Sequence, residues 1–207
     1  MKTSPPSSDS SAGVAAFAEY FRGHQQVVDA SVASLAPVAV AAGRAIVESL
    51  DRGGKIICFG NGGSATQASH FAGELVGRFR LSRRPFPALS LSSDGGTTTC
   101  IGNDFGYPAV FERQIEAFAK EGDVAIGLTT SGTSENVVRA LAAARAHAMV
   151  TVALTGEAGL VGGDADYVLR VPSSDTAYVQ EVHLMVIHGW CIAIDNALGG
   201  TSDEAIG

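Results

Sequence analysis

Three residues with chemically active side chains recur at one helical spacing directly after a glycine-rich segment. His70, Glu74 and Arg78 are each four residues apart, so in a helix they lie along one slowly drifting line. A histidine and a glutamate at i and i+4 can bind one metal ion, or act as an acid and a base. The alternative is a surface ladder of charged pairs worth about 0.3 kcal/mol each. Spacing alone leaves both interpretations open.

A second set of polar side chains lies in the apolar segment near the end of the chain. Gln180, Glu181, His183 and His188 are surrounded by apolar residues, which predicts a helix that is buried or at an interface. Polar groups in such a helix need partners. Either histidine can share a helix face with Gln180, and each could instead be a hydrogen-bonded core residue. The residues themselves do not choose between His183 and His188.

The segment Asn61-Gly62-Gly63-Ser64 connects an apolar strand, predicted at 55–60, with the helix that carries His70. A strand, a glycine-rich loop and a helix N-terminus form a good anion site, because free N–H groups and the helix dipole point at one place. The segment is not a Walker loop, since no Gly-Lys-Ser/Thr closes it. It does not match G-x-G-x-x-G either.

The rest of the chain alternates short apolar runs with helical patterns, which predicts an α/β fold. Five runs, each followed by a polar loop, favour a three-layer sandwich with a five-stranded parallel sheet, preceded by N-terminal helices. We expect a disordered tail at 1–13 and one domain at 14–207. Strands are predicted at 55–60, 86–91, 123–128, 150–155 and 167–171, and helices at 14–32, 35–50, 64–79, 111–119, 135–148 and 177–197.

The loops that follow the strands are rich in hydroxyl groups and glycine, and the run TTSGTS at 129–134 is the most pronounced. In an open parallel sheet such loops meet at the carboxyl edge, where ligands bind. One such loop would mean little, because Ser and Thr are common turn formers. Several at one edge favour a phosphate held by N–H groups and hydroxyls. Asn103-Asp104 reads as a turn, and Asp94 and Asp104 are candidates for sugar hydroxyls or for Asx-turns.

Composition limits the classes of partner. The chain has 207 residues, is 46% hydrophobic and 17% charged, and carries a net charge of -7, so an extended nucleic-acid surface is not expected. The basic cluster at 78–84 could bind a small anion or be a solvated loop. Three cysteines without C-x-x-C spacing suit a reducing cytoplasm. We expect no signal peptide and, lacking a long unbroken apolar run, no membrane span.

These segments, in this order, resemble the SIS (sugar isomerase) domain family and most closely its phosphoheptose isomerases. TSG-x-S alone is typical of any SIS domain, but together with H-F-x-x-E and Q-E-x-H-x-x-x-x-H it is specific for the heptose branch. The matching segments are GNGGS at 60–64, HFAGEL–GRF at 70–79, SSD at 92–94, CIGNDFGY at 100–107, EGDV at 121–124, TTSGTSENV at 129–137, ALTG at 153–156 and QEVH–VIH at 180–188.

The resemblance implies a homotetramer with active sites at subunit contacts, and a sugar phosphate as substrate. It implies conversion of sedoheptulose 7-phosphate to D-glycero-D-manno-heptose 7-phosphate through an enediol, the first step of heptose biosynthesis. By matching position, Glu74 is the implied base and His188 the implied acid. Zinc is implied as cofactor, held by His70, Glu74, Gln180 and His188, and its role as catalytic or structural stays open. The implied substrate contacts are Asn61, Ser64, Arg78, Asp104, Thr130, Ser131, Ser134 and Gln180.

Two positions depart from the family pattern. Gly73 stands where many members have a second acidic residue, and Tyr178 where they have an arginine. In addition, the loop after Asp94 reads GGTTT where many members carry larger residues. These departures leave the substrate preference and the stereochemistry at C2 open. Two non-catalytic alternatives share the fold: a relative that binds the bacterial replication initiator, and a phosphosugar-sensing module. Neither needs the complete set of His70, Glu74, Gln180 and His188, so we favour the enzyme.

Overall fold

Helices and strands alternate along the part of the chain that the computed structural model describes, residues 10–199. The predicted tail at 1–13 lies largely outside this part, but residues 10–13 already belong to the first helix. The elements are α1 (Ser10–Asp51), β1 (Ile56–Gly60), α2 (Gly63–Val76), β2 (Ala88–Ser90), α3 (Gly95–Phe105), a 3₁₀ turn (Tyr107–Ala109), α4 (Glu112–Phe118), β3 (Val124–Thr129), α5 (Glu135–Ala146), β4 (Val150–Thr155), β5 (Tyr167–Arg170) and α6 (Thr176–Leu198).

The five strands form one parallel sheet in the order β2-β1-β3-β4-β5. β1 pairs with β3 over its whole length, from Ile56 opposite Val124 to Gly60 opposite Leu128. Both strands are buried throughout, as is expected for central strands covered on both faces. The predicted fold class, a three-layer α/β sandwich with a five-stranded parallel sheet, is confirmed.

Alternate residues of β1 enter two separate hydrophobic cores, one on each face of the sheet. Ile56 and Cys58 pack beneath α1, α2 and α6, in a core that also contains Trp190. Ile57 and Phe59 pack on the other face, against α4 and α5. This alternation is the period of two that side chains follow along a strand, and it produces the three layers.

The prediction of two N-terminal helices is wrong, because α1 is one helix that passes through Pro37. Proline lacks an N–H group and normally kinks or ends a helix. Here α1 continues on both sides of the proline and packs against α6. Beyond the proline, Trp190 Nε1 donates to the Ala39 carbonyl at 2.9 Å and attaches α1 to α6. Tertiary packing therefore overrides the local preference.

Helix α3 occupies a segment that was predicted as a loop and a turn. Asp94 caps its N-terminus by accepting hydrogen bonds from the Gly96 N–H at 2.9 Å and from Thr97 Oγ1. Gly106, with φ of 84°, ends it. The interior of α3 is rich in Gly and Thr, which have low helix propensity, so the sequence pattern did not indicate a helix. Asp104 consequently lies in the last helical turn and not in a turn of its own.

Two helices are long and apolar enough, by length and mean hydropathy, to cross a membrane: residues 12–51 and α6. This differs from the expectation based on unbroken apolar runs. In the structure the two helices pack against each other, and both contribute side chains to the core beneath the sheet. Core helices of folded domains meet the same criterion, so this finding is weak support for a membrane role.

A buried ion pair fastens the segment after α2 to α6. Asp195 Oδ1 accepts from Arg83 Nε at 2.9 Å, and Oδ2 accepts from the Arg80 and Leu81 N–H groups. Both charged side chains are nearly inaccessible, at 1% for Arg83 and 4% for Asp195. Although burial acts to raise it, these hydrogen bonds hold the pKa of Asp195 below its ordinary value. Arg83 also donates to the Glu74 carbonyl, so it is a structural residue rather than an open anion ligand.

We expect Asp195→Ala to lower the free energy of unfolding by roughly 3 kcal/mol, because it leaves the Arg83 charge buried without a partner. Urea denaturation at a fixed protein concentration measures this. Glu135→Ala is the control, since it removes an exposed pair with Arg139 and should cost less than about 0.5 kcal/mol. Equal effects of the two substitutions would contradict the structural role of Asp195.

Candidate active site

A polar cleft of about 280 Å³ opens where β1 and β3 end. In a sheet of order 2-1-3-4-5, the strand order reverses between β1 and β3, so their carboxyl ends leave a crevice in which ligands bind. The cleft is lined by residues of both following loops and of the α6 N-terminus: Asn61, Gly62, Gly63, Ser64, Leu128, Thr129, Thr130, Ser134, Thr176 and Gln180.

Two helix N-termini face this cleft, and no side chain caps either of them. Helix α2 begins after Gly62 and helix α5 after Ser134, in both cases without a side-chain capping hydrogen bond. By contrast, Asp94 caps α3 and Asp175 caps α6. The first N–H groups of α2 and α5 are therefore left without a side-chain acceptor, and with the helix dipoles they favour an anion.

The loop between β3 and α5 is held compact by its own hydroxyl groups. Thr129 is buried, and its Oγ1 lies 3.0 Å from Ser134 Oγ and accepts from the Gly132 N–H at 3.2 Å. Ser131 Oγ accepts from a following N–H and hydroxyl. Gly132 has φ of 72°, and a Cβ there would lie 1.8 Å from the Gly159 carbonyl oxygen, so only glycine fits. Ser131 itself is exposed beside the cleft.

Gln180 brings α6 to the same cleft. Its amide lies against Gly63, where a Cβ would come within 2.6 Å of Oε1, so the glycine is needed for this approach. Gln67 Nε2 donates to the Gln180 carbonyl at 2.7 Å and links the two helices. Ser64, in the first turn of α2, is 3% exposed. The structure therefore brings Gln180 and Ser64 together with Thr130 and Ser134 in one lining.

A cluster of titratable side chains lies further along α2, where it meets α6. His70 Nε2 lies 3.0 Å from His188 Nε2 and 3.4 Å from Glu74 Oε1. The Phe79 ring stacks on His188 with centroids 5.5 Å apart and supports its orientation. The i, i+4 line predicted on α2 is thus joined by one histidine of α6, and the arrangement places a carboxylate and two imidazoles together.

These donor atoms are of the types that zinc binds in proteins, imidazole nitrogen and carboxylate oxygen. His70 Nε2 is the atom common to both short contacts, with His188 and with Glu74. Within residues 10–199, however, no three His, Cys, Asp or Glu side chains already form a complete metal-binding group. The Gln180 amide points instead toward Gly63. The donor types fit zinc, and the predicted metal set stays a prediction.

His183, the alternative left open by the spacing, lies in a different environment. It is fully buried, and its Nε2 lies 3.2 Å from the Thr155 carbonyl oxygen. Its Nδ1 is buried without a hydrogen-bond partner among the described residues. Burial lowers the pKa of His183 to about 4, so the ring is neutral at pH 7. The structure therefore groups His188, and not His183, with His70 and Glu74.

Two predicted substrate contacts are not brought into the cleft within one chain. Arg78 is exposed just after α2. Asp104 is exposed on α3, where its Oδ1 accepts from Asn103 Nδ2 at 2.8 Å. Their roles in binding stay predictions.

The two departures from the family pattern lie away from the cleft lining. Gly73 is exposed on α2, with open space where a side chain would be. Tyr178 packs against α1, with its ring 5.1 Å from that of Tyr20 and stacked on His24 at 6.0 Å. Neither departure changes a side chain that lines the cleft or belongs to the cluster of His70, Glu74 and His188.

Two residues at the cleft were missed by sequence reasoning. Asn136 forms a reciprocal amide pair with Asn61, and Tyr107 OH donates to Asn61 Oδ1 at 2.8 Å. Both lie in segments that match the family, CIGNDFGY and TTSGTSENV. Asn136 could have been predicted as a site residue, because it is an amide in the first turn of the helix that follows the hydroxyl-rich loop.

Comparison with known proteins gives consistent matches over most of the chain. The SIS domain model matches residues 19–156. A phosphoheptose isomerase of Solidesulfovibrio magneticus is 46% identical over 184 residues, covering 89% of this chain and 85% of that protein. The solved phosphoheptose isomerase of Neisseria gonorrhoeae superposes with a TM-score of 0.80 at 37% identity, covering 87% of this chain and 97% of that one. For the Francisella tularensis enzyme the TM-score is 0.83 at 35% identity, with 89% and 98% covered.

The depressed pKa of His183 predicts that acid destabilises the fold. The unfolded chain binds a proton at this residue near pH 6.5, whereas the folded chain binds it only near pH 4. Stability is therefore lost as pH falls through this window, by up to about 3 kcal/mol. We expect His183→Gln to flatten the pH dependence of the free energy of unfolding, measured by urea denaturation from pH 7 to 4. The exposed His147→Gln control should leave the slope unchanged, and equal slopes for His183→Gln and wild type would contradict the assignment.

Proposed function

Since this chain belongs to the SIS domain family and, within it, to the phosphoheptose isomerases, we propose that it converts sedoheptulose 7-phosphate to D-glycero-D-manno-heptose 7-phosphate in the cytoplasm. Relatives about 45% identical over most of the chain identify it as a sugar phosphate isomerase. The identity of the heptose phosphate and its place as the first step of heptose biosynthesis are the proposal.

The observation that carries the proposal is the division of the site along α2. Its uncapped N-terminus faces the hydroxyl-rich loop of Thr130, Ser131 and Ser134, which suits a phosphate bound through N–H and O–H groups. The opposite half of the same helix carries His70 and Glu74 beside His188. One ligand can therefore place its phosphate at one end and its carbonyl at the other.

The proposed chemistry is a proton transfer between neighbouring carbons. The Glu74 carboxylate removes a proton from C1 of the open ketose, while His188, as the acid, donates a proton to the carbonyl oxygen on C2, giving a cis-enediol. Glu74 then returns its proton to C2, the hydroxyl proton on O1 passes back to His188, and the aldose carbonyl forms at C1. Both groups end in their starting protonation states.

The remaining polar residues are proposed to bind and orient the substrate. Ser64 and Gln180 line the cleft with Thr130 and Ser134, and Asn61 contributes from the loop after β1. We propose that His70, Glu74, Gln180 and His188 would hold zinc, which would supply a Lewis acid for the substrate carbonyl. Arg78 and Asp104 are proposed to contact substrate in the assembled protein.

The active protein is proposed to be a homotetramer with its sites at subunit contacts. The exposed apolar surface of α1 supports this, because Val14, Phe17 and Phe21 are 70%, 70% and 63% exposed in the single chain. Apolar patches of this kind on a helix usually contact another protein surface.

Turnover of sedoheptulose 7-phosphate tests the function directly. We expect the wild-type protein to form the aldose phosphate, followed by NMR with and without added zinc. Glu74→Gln should lower kcat between about 100- and 10,000-fold, because it removes the base but keeps the side-chain shape. Glu116→Gln, an exposed glutamate on α4, is the matched control.

Absence of aldose from the wild-type protein under both conditions would contradict the isomerase assignment for this substrate and favour a sensing role. Full activity of Glu74→Gln would show that the base is another residue.

The tetramer is tested by light scattering after size-exclusion chromatography. We expect the wild type at the mass of four chains, and the double variant Phe17→Asp/Phe21→Asp at a lower mass, because two charges would be desolvated at the contact. Phe118→Asp is the control, since Phe118 is 47% exposed on α4. A tetrameric double variant, or a monomeric wild type, would refute this use of α1.

A further inference from the structure

We propose that Asn136 and Tyr107 are positioning residues of the sugar phosphate site, acting through the side chain of Asn61. Together the three residues form what we call the amide clamp. It joins the loop after β1 to the start of α5 and to the segment after α3. The inference rests on the proposed function in one respect only, that the cleft binds the phosphate end of the substrate.

The clamp is a closed set of hydrogen bonds between side chains distant in sequence. Asn61 Nδ2 donates to Asn136 Oδ1, and Asn136 Nδ2 donates to Asn61 Oδ1, both at 2.9 Å. Tyr107 OH donates to the same Asn61 oxygen at 2.8 Å. All three distances are within the normal range for strong hydrogen bonds. Three separate elements of the fold thus meet at one amide group.

These contacts fix the orientation of the Asn61 amide. A primary amide offers two lone pairs and two N–H donors, and here both lone pairs and one donor are engaged within the protein. One N–H of Asn61 is left for a ligand. Asn136 is only 3% exposed, so loss of its partner would leave a buried polar group unsatisfied. The clamp therefore resists rotation of Asn61.

The clamp also spans the two loops that line the cleft. Asn61 begins the loop that leads into the uncapped N-terminus of α2. Asn136 lies in the first turn of α5, directly after the hydroxyl-rich loop of Thr130, Ser131 and Ser134. Pairing the two amides sets the distance between these loops. Since both loops supply the groups proposed to bind the phosphate, their spacing controls how well the phosphate is held.

Tyr107 connects the clamp to α3, the helix that carries Asp104. Its side chain is 57% exposed, so its ring contributes little to the core. Its hydroxyl nevertheless forms a bond to Asn61 across 46 positions of the sequence. Removal of this one oxygen should uncouple the α3 segment from the cleft without unfolding the chain.

The clamp lies at the phosphate end of the site, and it makes no hydrogen bond to His70, Glu74 or His188 among the described residues. Its loss should therefore weaken substrate binding more than proton transfer. We expect Tyr107→Phe to raise KM for sedoheptulose 7-phosphate about 3- to 10-fold with kcat within about twofold, the effect of one hydrogen bond on uniform binding. Glu74→Gln should give the opposite pattern.

The experiment combines steady-state kinetics with a binding readout that needs no turnover. Wild type, Tyr107→Phe, Asn136→Ala and the double variant are assayed with sedoheptulose 7-phosphate and titrated with inorganic phosphate in a thermal-shift assay. Tyr167→Phe is the matched control, because Tyr167 lies at the start of β5 and is not part of the clamp. Both single substitutions should weaken phosphate binding, and the double variant should lose less than the product of the two effects, because both act on one amide.

The outcomes separate the clamp from the proposed function. Wild-type turnover with unchanged KM and phosphate affinity in Tyr107→Phe would overturn the clamp and keep the function. Absent turnover with weakened phosphate binding in Tyr107→Phe would overturn the function and keep the clamp. Should Asn136→Ala not fold, Tyr107→Phe alone decides, and independent effects in the double variant would also count against the clamp.

Discussion

The parallel pairing of β1 with β3 is the constraint on which the site depends. The two strands are in register from Ile56–Val124 to Gly60–Leu128, so their last residues end side by side in the centre of the sheet. Each is followed by a loop and a helix, and the two helices turn to opposite faces of the sheet. The reversal of strand order between them leaves a gap that side chains do not fill. Cleft, hydroxyl loop and helix N-termini all follow from this arrangement.

The site separates a cleft lined by neutral polar groups from a cluster of titratable side chains. Hydroxyls, amides and backbone N–H groups surround the cleft, whereas the titratable cluster of His70, Glu74 and His188 lies further along α2. The buried pair of Arg83 with Asp195 belongs to the second region, since Arg83 also donates to the Glu74 carbonyl. Neutral hydrogen bonds thus hold the cleft, and a buried ion pair supports the end of α2 that carries Glu74.

Much of this could be predicted from the sequence, because the signals were local. Apolar runs and glycine-rich loops located every strand within two residues or so, and the i, i+4 spacing located His70 and Glu74 on one helix. Features set by tertiary contacts were not predictable in the same way. The continuity of α1 through Pro37 depends on packing against α6, and α3 depends on its Asp94 cap. The choice between His183 and His188 needed either the family resemblance or the structure, since both histidines can share a helix face with Gln180.

Helix α2 fixes the distance between the cleft and the titratable cluster. Glu74 lies eleven positions after Gly63, which is at the uncapped start of the helix. This spacing corresponds to an axial rise of about 16 Å. Side chains on a helix lean back toward its N-terminus, so the Glu74 carboxylate reaches part of the way back to the anion end. In the proposed reaction one substrate reaches both ends, so this distance would set a minimum length between its phosphate and the carbon that loses a proton. The rigid rise of one helix would then select substrate length, before any pocket distinguishes one hydroxyl configuration from another.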